Sequence, residues 1–152
     1  MIRTICAALF LVLSAAARAG GVDCPPESIP NQAEPVSGPE AWCELASDRS
    51  LLHGPYRSWH PNGVLGTEEH YVRGKANGFA RYRWGSGEKQ AEGRFKDGAP
   101  DGWWSFWDKT GNKAGRVRYR DGALVAGRLP RWALDWDGAP VAKRPPPTDD
   151  AR

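Results

Sequence analysis

The spacing of the glycines constrains this chain more than any other feature of its sequence. Three sets of glycines recur every 24 residues, namely Gly54, Gly78 and Gly102, then Gly63, Gly87 and Gly111, then Gly74, Gly98 and Gly122. The aromatic residues Tyr71, Phe95 and Tyr119 keep the same period. A fixed period of this kind is typical of repeat proteins, in which each unit stacks on the next. The sequence therefore predicts three units of 24 residues within residues 53–124, namely His53–Ala76, Asn77–Pro100 and Asp101–Leu124.

Each unit has the pattern of a β-hairpin. In the first unit, a strand-like run over Pro55–Trp59 leads to a turn that ends at Gly63, and a second run ends at the tight turn Arg73-Gly74. Glycine at these positions supplies the positive φ that hairpin turns need. The other units repeat this order, with first runs over Phe79–Trp84 and Trp103–Trp107 and tight turns at Asp97-Gly98 and Asp121-Gly122.

The second run of each unit alternates with a period of two. One face carries small or apolar residues apart from Glu69, namely Thr67, Ala91, Gly115, Gly93, Val117, Tyr71, Phe95 and Tyr119. The other face is charged or polar, with Glu68, Glu92, Arg116, His70, Arg94 and Arg118. This alternation is typical of half-buried antiparallel strands. We expect the small residues of one column, Thr67, Ala91 and Gly115, to make room for the large rings of the neighbouring strand.

The first runs carry aromatic residues at both parities. Tyr56, Tyr82, Trp104 and Phe106 share one parity, and Trp59, Trp103 and Trp107 share the other. Either the sheet is covered on both sides, or one side displays its rings to a partner. The sequence leaves both readings open.

These patterns predict an all-β fold, an elongated, twisted antiparallel meander of repeated β-hairpins with irregular N- and C-terminal segments. Residues 20–52 are expected to form an N-terminal segment whose strand near Ala41–Ser47 caps the first unit. Residues 125–138 are expected to form a C-terminal capping half-repeat, because Trp132, Leu134 and Trp136 alternate as in a strand. The Pro-rich and charged residues 139–152 are expected to be a disordered tail.

The first 19 residues have the three parts of a cleavable signal peptide. Arg3 supplies the positive charge, Ile5–Ala17 is mostly apolar, and Ala17-Arg18-Ala19 is a small-x-small cleavage site. We therefore expect the protein to be periplasmic or secreted, and not an integral membrane protein after cleavage. Cleavage removes two of the 21 basic residues and no acid, which leaves 19 basic against 18 acidic groups. So balanced a charge argues against a nucleic-acid partner.

Two cysteines, Cys24 and Cys43, follow the cleavage site. An exported chain meets an oxidising compartment, where an even pair of cysteines is normally a disulfide. A bridge between them would stabilise the fold by about 3 kcal/mol in the chain-entropy model. A metal site or a reactive thiol is the weaker alternative, because the pair lacks CxxC spacing.

The third unit is similar to a known repeat family. Its run Asp101-Gly102-Trp103-Trp104-Ser105-Phe106-Trp107-Asp108-Lys109-Thr110-Gly111, followed by Tyr119-Arg120-Asp121-Gly122, resembles the bacterial variant of the MORN repeat. The first unit matches similarly, whereas the middle unit has Arg83 where an aromatic residue is usual. Bacterial proteins with this repeat are often described as antitoxin-like components of the YwqK type. The resemblance covers residues 53–124 and implies an elongated β-meander that binds a protein or a surface without catalysis.

No set of residues predicts a reaction, a cofactor or a metal site. The histidines His53, His60 and His70 have no fixed ligand spacing. Gly85-Ser86-Gly87-Glu88-Lys89 lacks the spacing of a phosphate loop. Glu68, Glu69 and Glu92 could be paired acids for glycoside hydrolysis, but charges on a strand face are more often solvated. We therefore expect a protein that is not an enzyme.

The tryptophans and two neighbouring arginines are the candidate binding residues: Trp59, Trp84, Trp103, Trp104, Trp107, Arg57 and Arg81. Large rings dominate small β-cores, so packing is one explanation for the tryptophans. The other is an aromatic platform for a protein or a sugar ring. We expect a scaffold that mediates protein–protein interaction. The alternative is a module that binds a cell-envelope polysaccharide through an aromatic face.

Overall fold

The chain folds as an antiparallel meander in which nearly every strand pairs with the next one in sequence. The computed structural model describes residues 21–33 and 38–133. These residues form one ten-stranded sheet in the order β1-β2-β3-β4-β6-β7-β8-β9-β10, with the short β5 also paired to β4. The strands are β1 (Ser28–Ala33), β2 (Glu40–Leu45), β3 (Asp48–Trp59), β4 (Leu65–Val72), β5 (Lys75–Ala76), β6 (Gly78–Arg83), β7 (Lys89–Lys96), β8 (Ala99–Trp107), β9 (Lys113–Arg120) and β10 (Ala123–Ala126). The predicted all-β meander of repeated hairpins is confirmed. The expected signal peptide (1–19) and tail (139–152) lie outside the described residues.

The wider turn of each unit is built in the same way. In the first unit, the Gly63 N–H donates to the His60 carbonyl oxygen at 2.8 Å, and Gly63 has a φ of 81°. The equivalent bonds run from Gly87 to Trp84 at 2.8 Å and from Gly111 to Asp108 at 3.1 Å. A register shift accompanies each turn, after Ser58, Tyr82 and Phe106. A glycine in the left-handed region beside a shifted ladder is the geometry of a bulged hairpin.

The narrow turn of each unit places two residues in the left-handed region. Arg73 and Gly74 have φ values of 48° and 79°, and the Asp97-Gly98 and Asp121-Gly122 pairs behave alike. Positive φ at both central residues defines a type I′ turn, which matches the twist of the flanking strands. The glycine N–H then donates to a preceding strand, from Gly74 to the Leu52 oxygen at 2.7 Å and from Gly98 to the Ala76 oxygen at 2.8 Å. Each narrow turn therefore joins its unit to the preceding part of the sheet.

One face of the sheet holds the core, which we call the core face. On the second strands, its buried members are those that the alternation predicts: Tyr71, Ala91, Phe95, Val117 and Tyr119. The first strands add Tyr56, Ala80, Trp104 and Phe106 to the same face. Trp104 is fully buried, and its N–H donates to the Arg94 carbonyl oxygen at 3.1 Å. Gly93 lies beneath this ring, where a Cβ atom would overlap Cδ2 of Trp104. The small residue beneath this ring is thus Gly93, which is not one of the three residues for which that role was expected.

The N-terminal segment is more regular than its sequence indicates. Residues 20–40 have no periodic pattern, yet Ser28–Ala33 forms β1 and pairs in register with β2. The prediction of an irregular segment is therefore wrong for these residues, because β2 supplies the hydrogen-bonding edge that their sequence does not signal. The expected capping strand is present as β2. A disulfide joins Cys24 to the buried Cys43, with Cα atoms 5.7 Å apart.

The C-terminal cap departs from the expected strand. The chain continues beyond β9 as the short β10 and then as a 3₁₀ helix over Arg131–Ala133. Trp132 therefore lies in a helix, and its ring packs edge-on against Trp84 and Phe106, with centroids 5.1 and 6.1 Å apart. The packing of the Trp132 ring against Trp84 and Phe106 accounts for the helical turn, which the alternation of residues in the sequence did not predict. Leu134 and Trp136 lie outside the described residues.

Candidate functional site

The face opposite the core, which we call the outer face, carries a row of charges that crosses six strands. The register aligns Arg57, Glu68, Arg81, Glu92, Ser105 and Arg116 from β3 to β9. The first four alternate in sign. Arg57 Nε and Arg81 Nη1 lie 3.9 and 3.4 Å from the Glu68 carboxylate. Glu92 also lies 3.8 Å from Arg81 Nε, so the first two units pair their charges. We call these paired residues the charge ladder.

The charge ladder stops at the third unit. In the preceding units an arginine on the first strand faces a glutamate on the second, but in the third unit Ser105 takes the place of the arginine and Arg116 that of the glutamate. The guanidinium carbon of Arg116 instead lies 4.2 Å from the centroid of the Trp103 ring, and that of Arg118 lies 5.8 Å from it. Among the described residues, no carboxylate oxygen lies within 4.0 Å of a side-chain nitrogen of Arg94, Arg116, Arg118 or Arg120, and all four arginines are exposed. Trp103 is 46% exposed. We call Arg94, Trp103, Arg116, Arg118 and Arg120 the cationic surface.

The five candidate tryptophans do not form one surface. Trp104 is fully buried on the core face, so its prediction as a binding residue is wrong. The parity that it shares with Phe106 places it there. Trp59, Trp84 and Trp107 are half-buried, and Trp103 is exposed. The two candidate arginines, Arg57 and Arg81, both belong to the charge ladder. Trp103 is therefore the one candidate tryptophan with an exposed ring, and the five rings do not form a continuous aromatic platform.

Trp84 and Trp107 belong to a packed edge beside the wider turns. The Trp84 N–H donates to the Trp107 carbonyl oxygen at 3.2 Å. His60 occupies the equivalent position one unit earlier, and its Nε2 lies 2.9 Å from the Arg83 carbonyl oxygen. Lysine ammonium groups lie over the two tryptophan rings, Lys109 at 5.3 Å from Trp84 and Lys89 at 4.9 Å from Trp107. These contacts join adjacent units and cover the rings, which accounts for the partial burial.

A buried carboxylate lies on the core face. Glu69 is only 4% exposed and accepts hydrogen bonds from the hydroxyls of Tyr71 and Tyr82. Tyr56 stands opposite Glu69 in the ladder of β3 and β4. Burial raises the pKa of the Tyr56 hydroxyl far above its usual value, and the charges of Glu40 and Glu69 raise it further. The cluster is a polar element of the core, because tyrosine hydroxyls satisfy the carboxylate that burial would otherwise destabilise.

The histidines are separated and serve local contacts. His53 lies 2.9 Å from a Glu27 carboxylate oxygen and accepts the Arg73 N–H at 3.1 Å. Burial lowers the pKa of His70, and the charge of His53 lowers it further. Within residues 21–33 and 38–133, no group of three or more His, Cys, Asp or Glu side chains is placed to hold a metal ion. No helix in the same residues is long and apolar enough to cross a membrane.

Comparisons with known proteins identify no family for this chain. No protein-family model matches the sequence, and no curated protein matches it. Among solved structures, the chain is similar to the "Glycosylation Associate Protein (Gap123) complex from Streptococcus agalactiae", at 11% identity and a TM-score of 0.37 over 66% of this chain. This chain spans 18% of the length of that chain. A TM-score of this size does not indicate a shared fold.

Proposed function

We propose that the protein is a non-catalytic β-repeat scaffold of the bacterial MORN type, periplasmic or secreted, which binds another protein through its outer face. A sheet that buries one face and leaves the other accessible offers a broad surface to a macromolecule. The glutamates of the outer face lie in the charge ladder, Glu69 lies in core contacts, and the arginines of the cationic surface are exposed. The arrangement therefore suits binding better than catalysis.

Exposed apolar side chains on the outer face carry the proposal. Phe79 and Trp103 occupy equivalent positions in successive units and are 44% and 46% exposed. Val72 adds a third apolar side chain on this face, at 41% exposure. Exposed aromatic residues flanked by arginine are enriched where proteins bind one another. This combination favours a protein partner.

The polysaccharide alternative has less support. A sugar ring stacks on a tryptophan face that is free, and the guanidinium groups of Arg116 and Arg118 lie against the Trp103 ring. Trp59, Trp84 and Trp107 are half-buried and do not extend Trp103 into a row of exposed rings. A protein partner needs no such row, because it can use arginine and aromatic edges together.

The disulfide supports the proposed compartment. Disulfides persist in oxidising environments such as the periplasm and the extracellular space, and they are rare where thiols are kept reduced. The Cys24–Cys43 bridge therefore agrees with the export signal expected from residues 1–19. Mass spectrometry of the protein isolated from its native cell would test both features. Maturation after Ala19 with a closed bridge is the expected result, and an intact N-terminus with free thiols would contradict it.

Affinity capture tests the binding function directly. The oxidised protein is immobilised, exposed to an envelope extract from the source cell, and compared with a Phe79→Glu variant and a Ile29→Glu control. Both residues are exposed, but Ile29 lies on β1, whereas Phe79 lies on the outer face of the second unit. We expect one protein to be retained by wild type and by Ile29→Glu but not by Phe79→Glu, and to bind saturably after purification.

Other outcomes of this experiment would contradict the proposal. Retention of a cell-wall polysaccharide without any protein would favour the glycan alternative. If the Phe79→Glu variant retained the protein equally well, the partner would not bind at Phe79 on the outer face. Melting curves of both variants establish that each is folded before capture.

A further inference from the structure

The cationic surface lies on the third unit apart from Arg94 on β7, and its chemistry differs from that of the charge ladder. We propose that it is the docking site for an acidic segment of the protein partner, whose glutamate or aspartate side chains pair with Arg116 and Arg118. This inference rests on the proposed function and names the chemistry of the partner. Three observations carry it: the charge difference between the units, the lack of carboxylate partners among the described residues, and the geometry of the stacked guanidinium groups.

Equivalent positions become more positive from the first unit to the third. Glu68 in the first unit and Glu92 in the second are replaced by Arg116 in the third. The neighbouring positions change in the same direction, from His70 to Arg118 and from Val72 to Arg120. All of these side chains lie on the outer face of the second strands. The third unit therefore has the same fold as the first two, but its second strand carries arginines where theirs carry the paired glutamates Glu68 and Glu92.

Within residues 21–33 and 38–133, the arginines of this surface have no carboxylate partner within 4.0 Å. Arg116 stands opposite Ser105, so the residue that faces it across the ladder carries no charge. Asp101 stands opposite Arg94, but the two side chains form no ion pair within 4.0 Å. Guanidinium groups kept close together repel one another, so an added anion lowers the energy of the cluster. Charge complementarity therefore indicates an anionic ligand.

Stacking on Trp103 prepares the guanidinium groups for carboxylates. A guanidinium that lies over an aromatic ring is held by its face, which leaves the N–H groups at its edge free to donate. A carboxylate can accept two of these N–H groups in one plane. Arg116, 4.2 Å from the ring centroid, is the closest candidate for this geometry.

An acidic polypeptide fits this surface better than an anionic polysaccharide. The arginines occupy the space over the Trp103 ring that a sugar would need. The adjacent Phe79 is exposed and offers an apolar contact beside the charges. A peptide can supply acidic and apolar side chains from one extended segment, whereas a polysaccharide of acidic sugars lacks apolar side chains.

A binding experiment with defined polymers tests the inference. The folded, oxidised protein is titrated with a poly-L-glutamate oligomer and separately with polygalacturonate, and binding is followed by calorimetry at low and high salt. The test variant carries Arg116→Gln and Arg118→Gln. The control carries Arg49→Gln and Arg57→Gln, which removes the same charge from arginines that already face glutamates. A third variant, Trp103→Leu, removes the stacking surface.

We expect the oligomer to bind wild type and control alike. It should bind the test variant at least about tenfold more weakly, because that variant loses one or more charge-assisted hydrogen bonds. Trp103→Leu should weaken binding in the same direction. Equal weakening in test and control would show general electrostatic attraction and overturn the inference. Arginine-dependent binding of polygalacturonate in place of the oligomer would identify the wrong class of ligand and overturn it as well.

The failure of this inference can be told apart from failure of the proposed function. If the Arg116→Gln, Arg118→Gln variant captures the envelope protein as wild type does, the docking site is wrong and the scaffold function stands. If no protein is captured but the oligomer binds through these arginines, the surface binds acidic polymers and the proposed function fails.

Discussion

The indole ring of Trp104 fills the space beside Gly93 on the neighbouring strand, at the point where the pairing of β7 and β8 shifts register. A Cβ atom at Gly93 would overlap Cδ2 of Trp104, and the ring is fully buried, so it has no free space into which to move. A side chain at position 93 would therefore displace the Trp104 ring. The pair packs the second unit against the third.

A Gly93→Ala substitution should consequently destabilise the protein by about 2–3 kcal/mol, the upper part of the range for overpacked cores. Urea unfolding followed by tryptophan fluorescence measures this change. Gly115→Ala is the matched control, because its Cβ would lie 3.5 Å from the Arg128 carbonyl oxygen, an ordinary contact. A free energy of unfolding equal to wild type for Gly93→Ala would show that Trp104 does not occupy this site.

Removing the buried carboxylate of Glu69 should lower the stability more than removing the half-buried carboxylate of Glu68 on the outer face. Glu69→Ala leaves the hydroxyls of Tyr71 and Tyr82 without this acceptor, and we expect a loss of about 2–4 kcal/mol in unfolding free energy. Glu69→Gln keeps an acceptor oxygen and should lose less. Glu68→Ala, on the outer face, should change stability by about 1 kcal/mol or less. Chemical denaturation of the three variants gives the order, and a Glu68 effect larger than that of Glu69 would contradict it.

The narrow turn of the first unit contains a residue poorly suited to its conformation. Arg73 has a φ of 48°, a region that disfavours most side chains, whereas the equivalent positions hold Asp97 and Asp121. Asn is well tolerated there, so Arg73→Asn should stabilise the fold by about 0.5–1 kcal/mol. Asp97→Asn serves as the control and should leave the melting temperature nearly unchanged. A lower melting temperature for Arg73→Asn would show that the Arg73 side chain contributes a contact that outweighs the strain.

Acidification should weaken the wider turn of the third unit. Hydrogen bonds from the Thr110 side chain and from the backbone of Asn112 and Thr110 hold the pKa of Asp108 below its usual value. A carboxyl group whose pKa is lower in the folded state stabilises the fold above its unfolded-state pKa, and that contribution is lost as the pH falls through the folded-state pKa. Protonation of Asp108 should therefore loosen the turn at acidic pH.

An NMR titration of wild type and Thr110→Ala measures this effect. We expect the substitution to raise the pKa of Asp108 towards its ordinary value. Asp48 is the internal control, because the Ser50 hydroxyl and N–H lower its pKa in a separate turn. Its pKa should not change. An unaltered Asp108 pKa in Thr110→Ala would rule out Thr110 as the main cause.

Much of the hairpin architecture follows from local patterns. The glycine spacing predicted the turns, because positive φ is a local requirement that glycine meets at Gly63 and at its equivalents. The alternation of β4, β7 and β9 predicted the core face, because successive side chains of a strand point to opposite sides. Strand β1 was missed because its residues have no alternation and are ordered by pairing with β2.

The candidate site was predicted only in part. The sequence indicated Trp103 among five tryptophans but did not separate it from its neighbour Trp104, which is buried. The cationic surface was missed, although a signal was present in the replacement of Glu68 and Glu92 by Arg116 at the same repeat position. Recognising it required the partner of each charge across the sheet, which a single strand does not specify.

The sequence by itself determined the period of the hairpins, the turns between them and the buried face of each second strand, because these depend on residues close together in the chain. Tertiary structure decided which tryptophans are buried, how Glu69 is hydrogen-bonded and where the charge ladder ends. Those features depend on the register between strands. Bulges after Ser58, Tyr82 and Phe106 shift this register. Register is set by packing between strands that lie far apart in sequence, so the whole sheet must form before the outer face has its pattern of charge.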